Sequence, residues 1–258
     1  MYYQAIKLRE HDGVAVITLD RAEAMNAMDT QMRAELLHAI KAVEETSRVL
    51  VFTGRGRAFC SGQDLGSQSN VLNMDLERLL RDEYTPLIEA ISECRLPTIA
   101  AVNGMAAGAG ANVALACDVV IASESAKFLQ AFTRIGLVPD AGGSYFMPRQ
   151  MGMAKAMGAA LFAEPITARQ AADWGMIFEA IPDADFVAHW QGRAAALANG
   201  PTKAYRRIKR AIRGSFENSL EDQLALEAKF QGEAGKTRDF REGVVAFTEK
   251  RPAKFEGR

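Results

Sequence analysis

The chain has 258 residues, 48% of them apolar and 24% charged, the balance of a soluble globular protein long enough to bury a real core. Its 31 Lys and Arg nearly cancel its 32 Asp and Glu, for a net charge of −1. That excludes a nucleic-acid binder built on bulk positive charge, so any anion site must be a local patch.

The N-terminal stretch MYYQAIKLREHDG lacks the charged-then-apolar pattern of a secretory signal. GVAVITLD, residues 13–20, is β-branched and reads as a strand. Asp29 or Thr30 caps a helix running through residue 45, with Met32, Leu36, Ile40 and Val43 as its apolar stripe. RVLVFTG, residues 48–54, is a buried strand closed by glycine. A polar loop, expected to be mobile, leads to a helix over 76–94 that Pro86 kinks. LPTIAAVNG, residues 96–104, is the next strand. MAAGAGANVALACD then carries small residues into an apolar helix, and DVVIAS, residues 118–123, is a further strand. This alternation argues for an α/β core with helix-covered sheets. After residue 144 the pattern is mostly helical. TARQAADWG, residues 167–175, is a short capped helix, and helices follow near 184–199, 201–213, 218–233 and 237–249. The chain divides into a core over 1–195 and a helical region over 196–258 that packs on the core or on another subunit.

Cys60, Cys94 and Cys117 are far apart and form no CxxC pair, which argues against a disulfide framework or a zinc site and fits a reducing cytoplasm. No apolar run approaches the roughly 20 residues of a membrane helix. The longest candidate, residues 98–122, is broken by Asn103, by glycines and by Asp118. Neither a membrane nor a nucleic-acid partner is expected. Lys203, Arg206, Arg207, Lys209, Arg210 and Arg213 mostly suit one helix face and read as solvated surface in preference to a phosphate dock.

Three loops have the residue types for chemistry. In RAFCSGQDL, residues 57–65, Ser61-Gly62 permits an unusual turn that points the amides of Gln63 and Asp64 outward. In AAGAGAN, residues 106–112, small residues at a helix start leave N–H groups unpaired and the backbone open to a ligand. Two such amides aimed at one point stabilise charge on a carbonyl oxygen. Each loop alone also fits a tight strand-to-helix connection. In GLVPDAGG, residues 136–143, Asp140 follows a proline and precedes Ala141-Gly142-Gly143. It is either a cap for the helix from Ser144 or a placed reagent.

Taken together, VAVITLDRAEAMNAMD, VFTGRGRAFCSGQDL, LPTIAAVNGMAAGAGANVALACDVVIAS and FTRIGLVPDAGG resemble, in order and spacing, the enoyl-CoA hydratase/isomerase, or crotonase, superfamily over essentially the whole chain. The resemblance implies a spiral of ββα units with a helical C-terminal region that builds trimers, often paired into hexamers. It implies acyl-CoA thioester substrates, with coenzyme A part of the substrate and no metal or redox cofactor. It makes the amides of Gln63 and Ala109 an oxyanion hole, and Asp64, Gly110, Asn112, Phe132 and Gly142 substrate-binding neighbours.

The two glutamates of the family's hydratases fall on Asn112 and Phe132, neither of which transfers protons at ordinary pH. Asp140 stands where those hydratases usually carry glycine. An aspartate there resembles dienoyl-CoA isomerases, chlorobenzoyl-CoA dehalogenases and ring-1,2-epoxyphenylacetyl-CoA isomerases. The dehalogenase branch needs a histidine after Gln63, and His11, His38 and His189 all lie elsewhere. The dienoyl branch needs carboxylates at positions 112 and 132. AAGAGA, KFLQAF, GLVPDAGGS and the ending DFREGVVAFTEKRPAKFEG resemble the ring-epoxide isomerase group. The implied activity is an acyl-CoA isomerase with Asp140 as acid/base, its pKa raised beside a dry wall at Phe132. The alternatives are an enoyl-CoA hydratase, with Asp82 or Glu83 on a roofing helix as the missing acid, and a non-catalytic CoA-binding subunit. Cys60 reads as core packing. Lys250 and Lys254 read as surface lysines, with contact to CoA phosphates as the sharper alternative.

Overall fold

The computed structural model describes residues 2–66 and 74–258, so the polar loop expected before residue 76 falls largely outside the described residues. β1 (Ile6–His11) pairs antiparallel with β2 (Val14–Leu19) through Asp12-Gly13, whose φ angles of 48° and 76° match the strand twist. β1 was not expected from its sequence. It is an edge strand whose side chains are mostly exposed, so it carries little apolar alternation.

β2 runs parallel to β3 (Val49–Gly54). Shortly after β3 comes β4 (Ala58–Cys60), which belongs to a second sheet. The same step recurs twice: β5 (Thr98–Val102) is followed by β6 (Met105–Ala107), and β7 (Val119–Ser123) by β8 (Lys127–Leu129). β3, β5 and β7 pair in parallel in one sheet, and β4, β6 and β8 in the other. β9 (Ile166–Thr167) and β10 (Glu179–Ile181) complete a four-stranded and a six-stranded sheet.

Helices fill the gaps of this spiral. α1 (Thr30–Val43) starts at Asp29, whose carboxylate accepts the Met32 N–H at 2.8 Å. The helix expected over 76–94 is α2 (Leu76–Leu79), a π-type turn over Leu80–Tyr84, and α3 (Thr85–Glu93). Pro86 has no N–H to offer the preceding turn, and the helix widens just before it. α4 (Ala109–Ala116) follows β6. α5 (Gly143–Phe162) is interrupted at Gly152, and α6 (Ala168–Asp173) opens with a capping box between Thr167 and Gln170. α7 (Phe186–Ala198), α8 (Thr202–Gly214), α9 (Leu220–Ala234) and α10 (Arg238–Thr248) complete the chain.

The central strands of the large sheet, β3 and β5, are buried on both faces. Leu50, Phe52, Ala100 and Val102 join the main core with α1, α3 and α4, while Val49, Val51, Ile99 and Ala101 pack on Phe186 and Trp190 of α7. α8 corrects one expectation. Lys209 is nearly buried; it donates to the Cys94 and Leu96 carbonyls and pairs with Asp118 at 2.7 Å. Arg213 grips the same carboxylate at 2.9 Å. These two cations lock α8 to the core, and the solvated reading holds only for Lys203, Arg206 and Arg210. No helix among the described residues is long and apolar enough to cross a membrane.

Candidate active site

Gly62 and Gly108 each precede one of the two candidate amides, and both adopt left-handed φ, 100° and 51°. Such angles strain any L side chain. A Cβ on Gly62 would also sit 2.9 Å from the Ala107 carbonyl oxygen and 3.6 Å from the Ala109 nitrogen, so the loop after β4 lies directly against the start of α4. Met28 pairs with both neighbours of Gln63: its N–H donates to the Gly62 carbonyl at 2.8 Å, and its carbonyl accepts the Asp64 N–H at 3.1 Å. That leaves the Gln63 N–H, like the Ala109 N–H at the first turn of α4, without an acceptor among the described residues. Unpaired donors on two adjacent segments are the kind of arrangement that stabilises negative charge on an oxygen placed between them.

Asp140 approaches from another loop, ahead of two left-handed residues, Ala141 and Gly142. Gly142 occupies the cap of α5 without a side-chain bond, so Asp140 is not its capping residue. The Asp140 carbonyl accepts from Asn112 Nδ2 and from the Gly143 N–H, both at 2.8 Å. Its side-chain Oδ1 has almost no accessible surface and no hydrogen-bond partner among the described residues. Burial pushes the Asp140 carboxyl up to about 6, against a smaller opposing effect of its own backbone N–H. The result is a carboxyl group poised to exchange protons near neutral pH.

The structure places the remaining expected residues around this pair. The Phe132 ring stands against the backbone that leads into Ala109, with Cζ 3.7 Å from where a Cβ on Gly108 would sit. Asp64 lines an open groove of about 490 Å³ together with Arg33, Gln63, Arg78 and Glu83. Its carboxylate accepts from Arg21 Nη1 at 2.8 Å and from the Gly66 N–H at 3.0 Å. Burial works to raise its pKa, but these bonds outweigh it and the pKa is lowered.

Gly110, Asn112 and Gly142 have internal roles. A Cβ on Gly110 would meet the Cys60 carbonyl oxygen at 2.5 Å, so this glycine seats α4 on β4. Asn112 is fully buried; its Nδ2 holds the Asp140 carbonyl and its Oδ1 accepts from Gln130 at 2.9 Å. Gly142 turns the chain where a Cβ would strike the Phe146 ring. Cys60 is buried, which pushes its thiol up to about 12 and leaves it inert. No metal-ligating cluster of His, Cys, Asp and Glu occurs among the described residues.

Three residues went unnoticed in the sequence: Arg33, Tyr84 and Gln130. Arg33 is only 2% exposed, although it sits beside the apolar stripe of α1. Its Nη1 donates to Gln63 Oε1 at 2.8 Å and to the Met28 carbonyl at 2.7 Å. Glu83 accepts from Arg33 Nε and Nη2 at 2.9 and 2.6 Å, with Thr30 Oγ1 also on Nη2 at 3.1 Å, so Glu83 is spent on Arg33, and Asp82 lies exposed beside Arg78 and Arg81. The signal available for Arg33 was a charge directly following Met32 in an otherwise well-patterned helix.

Residues 9–258 match the family described as Enoyl-CoA hydratase/isomerase. A Rhodobacter capsulatus protein named "Probable enoyl-CoA hydratase" is 58% identical over 258 residues, covering 100% of both chains. The 1,2-epoxyphenylacetyl-CoA isomerase of Escherichia coli K12 is 44% identical over 256 residues, covering 95% of this chain and 96% of its own. Among solved structures, an enoyl-CoA hydratase from Polaromonas sp. JS666 superposes with a TM-score of 0.93 at 31% identity, covering 98% of this chain and 100% of that one. The repeated ββα spiral agrees with these matches: the chain belongs to the enoyl-CoA hydratase/isomerase family, a family of enzymes with a mixed α/β fold and a helical C-terminal region.

Proposed function

We propose that the protein is an acyl-CoA isomerase of the ring-1,2-epoxyphenylacetyl-CoA type. The observation that carries this reading is the buried Asp140 carboxyl, whose Oδ1 has no partner among the described residues and whose loop is tied through Asn112 to α4, the helix that carries the Ala109 amide. The thioester carbonyl accepts from the Gln63 and Ala109 N–H groups, which stabilises an enolate-like state. In a shift of a β,γ double bond, Asp140 takes the α-proton and the electron pair moves onto the carbonyl oxygen. The pair then returns through the chain, and Asp140 gives the same proton to the γ-carbon. In a ring epoxide the same polarisation drives rearrangement to the seven-membered oxepin, with no net gain or loss of atoms. Coenzyme A enters as part of the substrate, and no metal or redox cofactor is required by these steps.

The hydratase reading has the name of the Rhodobacter relative in its favour. Against it, Asn112 is spent on Asp140 and Gln130, and Phe132 has no proton to give. A homotrimer or dimer of trimers in the cytoplasm fits the apolar faces exposed on α5 and α8–α10, among them Phe162, Ile212 and Phe247. The test is a parallel assay of crotonyl-CoA and of ring-1,2-epoxyphenylacetyl-CoA or a β,γ-unsaturated acyl-CoA, with Asp140→Asn beside wild type. Isomerisation that disappears in the variant, with little hydration, is the expected result. Fast hydration that survives the substitution overturns the reading.

A further inference from the structure

We propose that Arg33 and Tyr84 are positioning residues that clamp the Gln63 side chain and so aim the Gln63 N–H at the substrate carbonyl. This rests on the reading of the Gln63 and Ala109 amides as the oxyanion site. Gln63 follows Gly62, a left-handed hinge with little stiffness of its own. Its side chain adds a further restraint to the two backbone bonds from Met28. Gln63 Oε1 accepts from Arg33 Nη1 at 2.8 Å and from the Tyr84 hydroxyl at 2.7 Å, which fills both lone pairs. Gln63 Nε2 donates to the Asp64 carbonyl at 2.8 Å and ties the side chain to the following peptide.

The clamp is itself anchored. Arg33 Nη1 also holds the Met28 carbonyl, the same oxygen that accepts the Asp64 N–H. Arg33 Nε and Nη2 reach Glu83 at 2.9 and 2.6 Å, and the guanidinium stacks 4.9 Å from the Tyr84 ring centroid. Arg33 and Tyr84 are each 2% exposed. Burial raises the Tyr84 pKa, so its hydroxyl stays protonated and donates. A buried guanidinium is a poor way to stabilise a helix, because desolvation offsets much of its attraction. Here Glu83 and Thr30 hold Nε and Nη2, and that leaves Nη1 to serve both the Gln63 side chain and the Met28 carbonyl that binds the next peptide. The chemistry of the site explains that arrangement better than packing does.

The test uses the full chain with bound cinnamoyl-CoA, whose conjugated thioester band moves to longer wavelength when its carbonyl is polarised. Tyr84→Phe removes one hydroxyl and keeps the ring. Gln63→Leu removes the acceptor, and Gln63→Glu restores it at similar volume. We expect wild type to shift the band, and Tyr84→Phe and Gln63→Leu to lose part of that shift. Their kcat falls about 10- to 100-fold with KM within about threefold, the scale of a misplaced reacting group. The acid limb of the pH profile, set by Asp140, stays in place. Gln63→Glu, which keeps the acceptor for Arg33 and Tyr84 but not the donor to the Asp64 carbonyl, recovers part of both signals relative to Gln63→Leu. A full band shift and full kcat in Tyr84→Phe and Gln63→Leu overturn the positioning role while leaving the amide pair standing. No band shift in wild type overturns the amide pair and the clamp together.

Discussion

Replacing Asp140 by asparagine should make the protein more stable and inactive at once. The carboxyl has an ordinary value of 3.8 and is pushed up to about 6 by burial. At about 1.4 kcal/mol for each factor of ten in proton affinity, the difference (6 − 3.8) corresponds to at most about 3 kcal/mol. The sign follows from linkage. Between about 4 and 6 the folded state binds more protons than the unfolded state, so stability falls as pH rises through that window and is level above it. At pH 7 the folded wild type carries the full penalty of a charged, unpartnered carboxylate. Asparagine carries no charge at any pH, though its buried amide returns about 1 kcal/mol of the gain. The expected advantage of Asp140→Asn is therefore about 1–3 kcal/mol at pH 7 and close to zero at pH 4. Urea midpoints at both pH values, at one fixed protein concentration, measure it. Isomerase kcat in the same variant should fall about 10²- to 10⁴-fold, and wild-type kcat/KM should lose activity below a limb near pH 6. A variant no more stable than wild type at pH 7, or equally advantaged at both pH values, would refute the claim that Asp140 is held as a strained base.

Gly108→Ala forces a side chain into a φ of 51° immediately before the Ala109 amide. It should cost about 1–3 kcal/mol in thermal unfolding and reduce kcat about 100-fold; near-normal kcat would mean the Ala109 amide is not used. Asn112→Ala removes one of the two donors to the Asp140 carbonyl and strands the fully buried Gln130. The expected loss is about 1–3 kcal/mol, with kcat falling and KM holding steady. A rise in KM alone would instead make Asn112 a substrate contact. Asp118→Ala leaves Lys209 and Arg213 without their shared carboxylate and should destabilise the protein by about 3 kcal/mol in urea, with the spectral signature of α8 coming loose. An unchanged midpoint would show that α8 is held by its apolar contacts.

Much of this molecule was legible from local pattern. β3, β5 and β7 are apolar and β-branched enough to be recognised alone, and Asp29 and Thr167 announce their helices through short-range capping chemistry. The turn at Gly62, ahead of Gln63, was readable because a left-handed turn is a property of one residue. The short strands β4, β6 and β8 were not. Three residues such as AFC or MAA span too little to show a period, and they become strands only because successive turns of the spiral set them side by side. The hydrogen bonds of Asn112 were not legible because its two partners lie 18 and 28 residues along the chain. Lys209 and Arg213 looked solvated because their carboxylate, Asp118, is more than 90 residues away in sequence. The same distinction governs Asp140. Its identity and its tight turn are written in the local sequence, but its raised pKa is not. A carboxyl group's proton affinity depends on what surrounds it in space, and those neighbours are assembled from distant segments only when the chain folds.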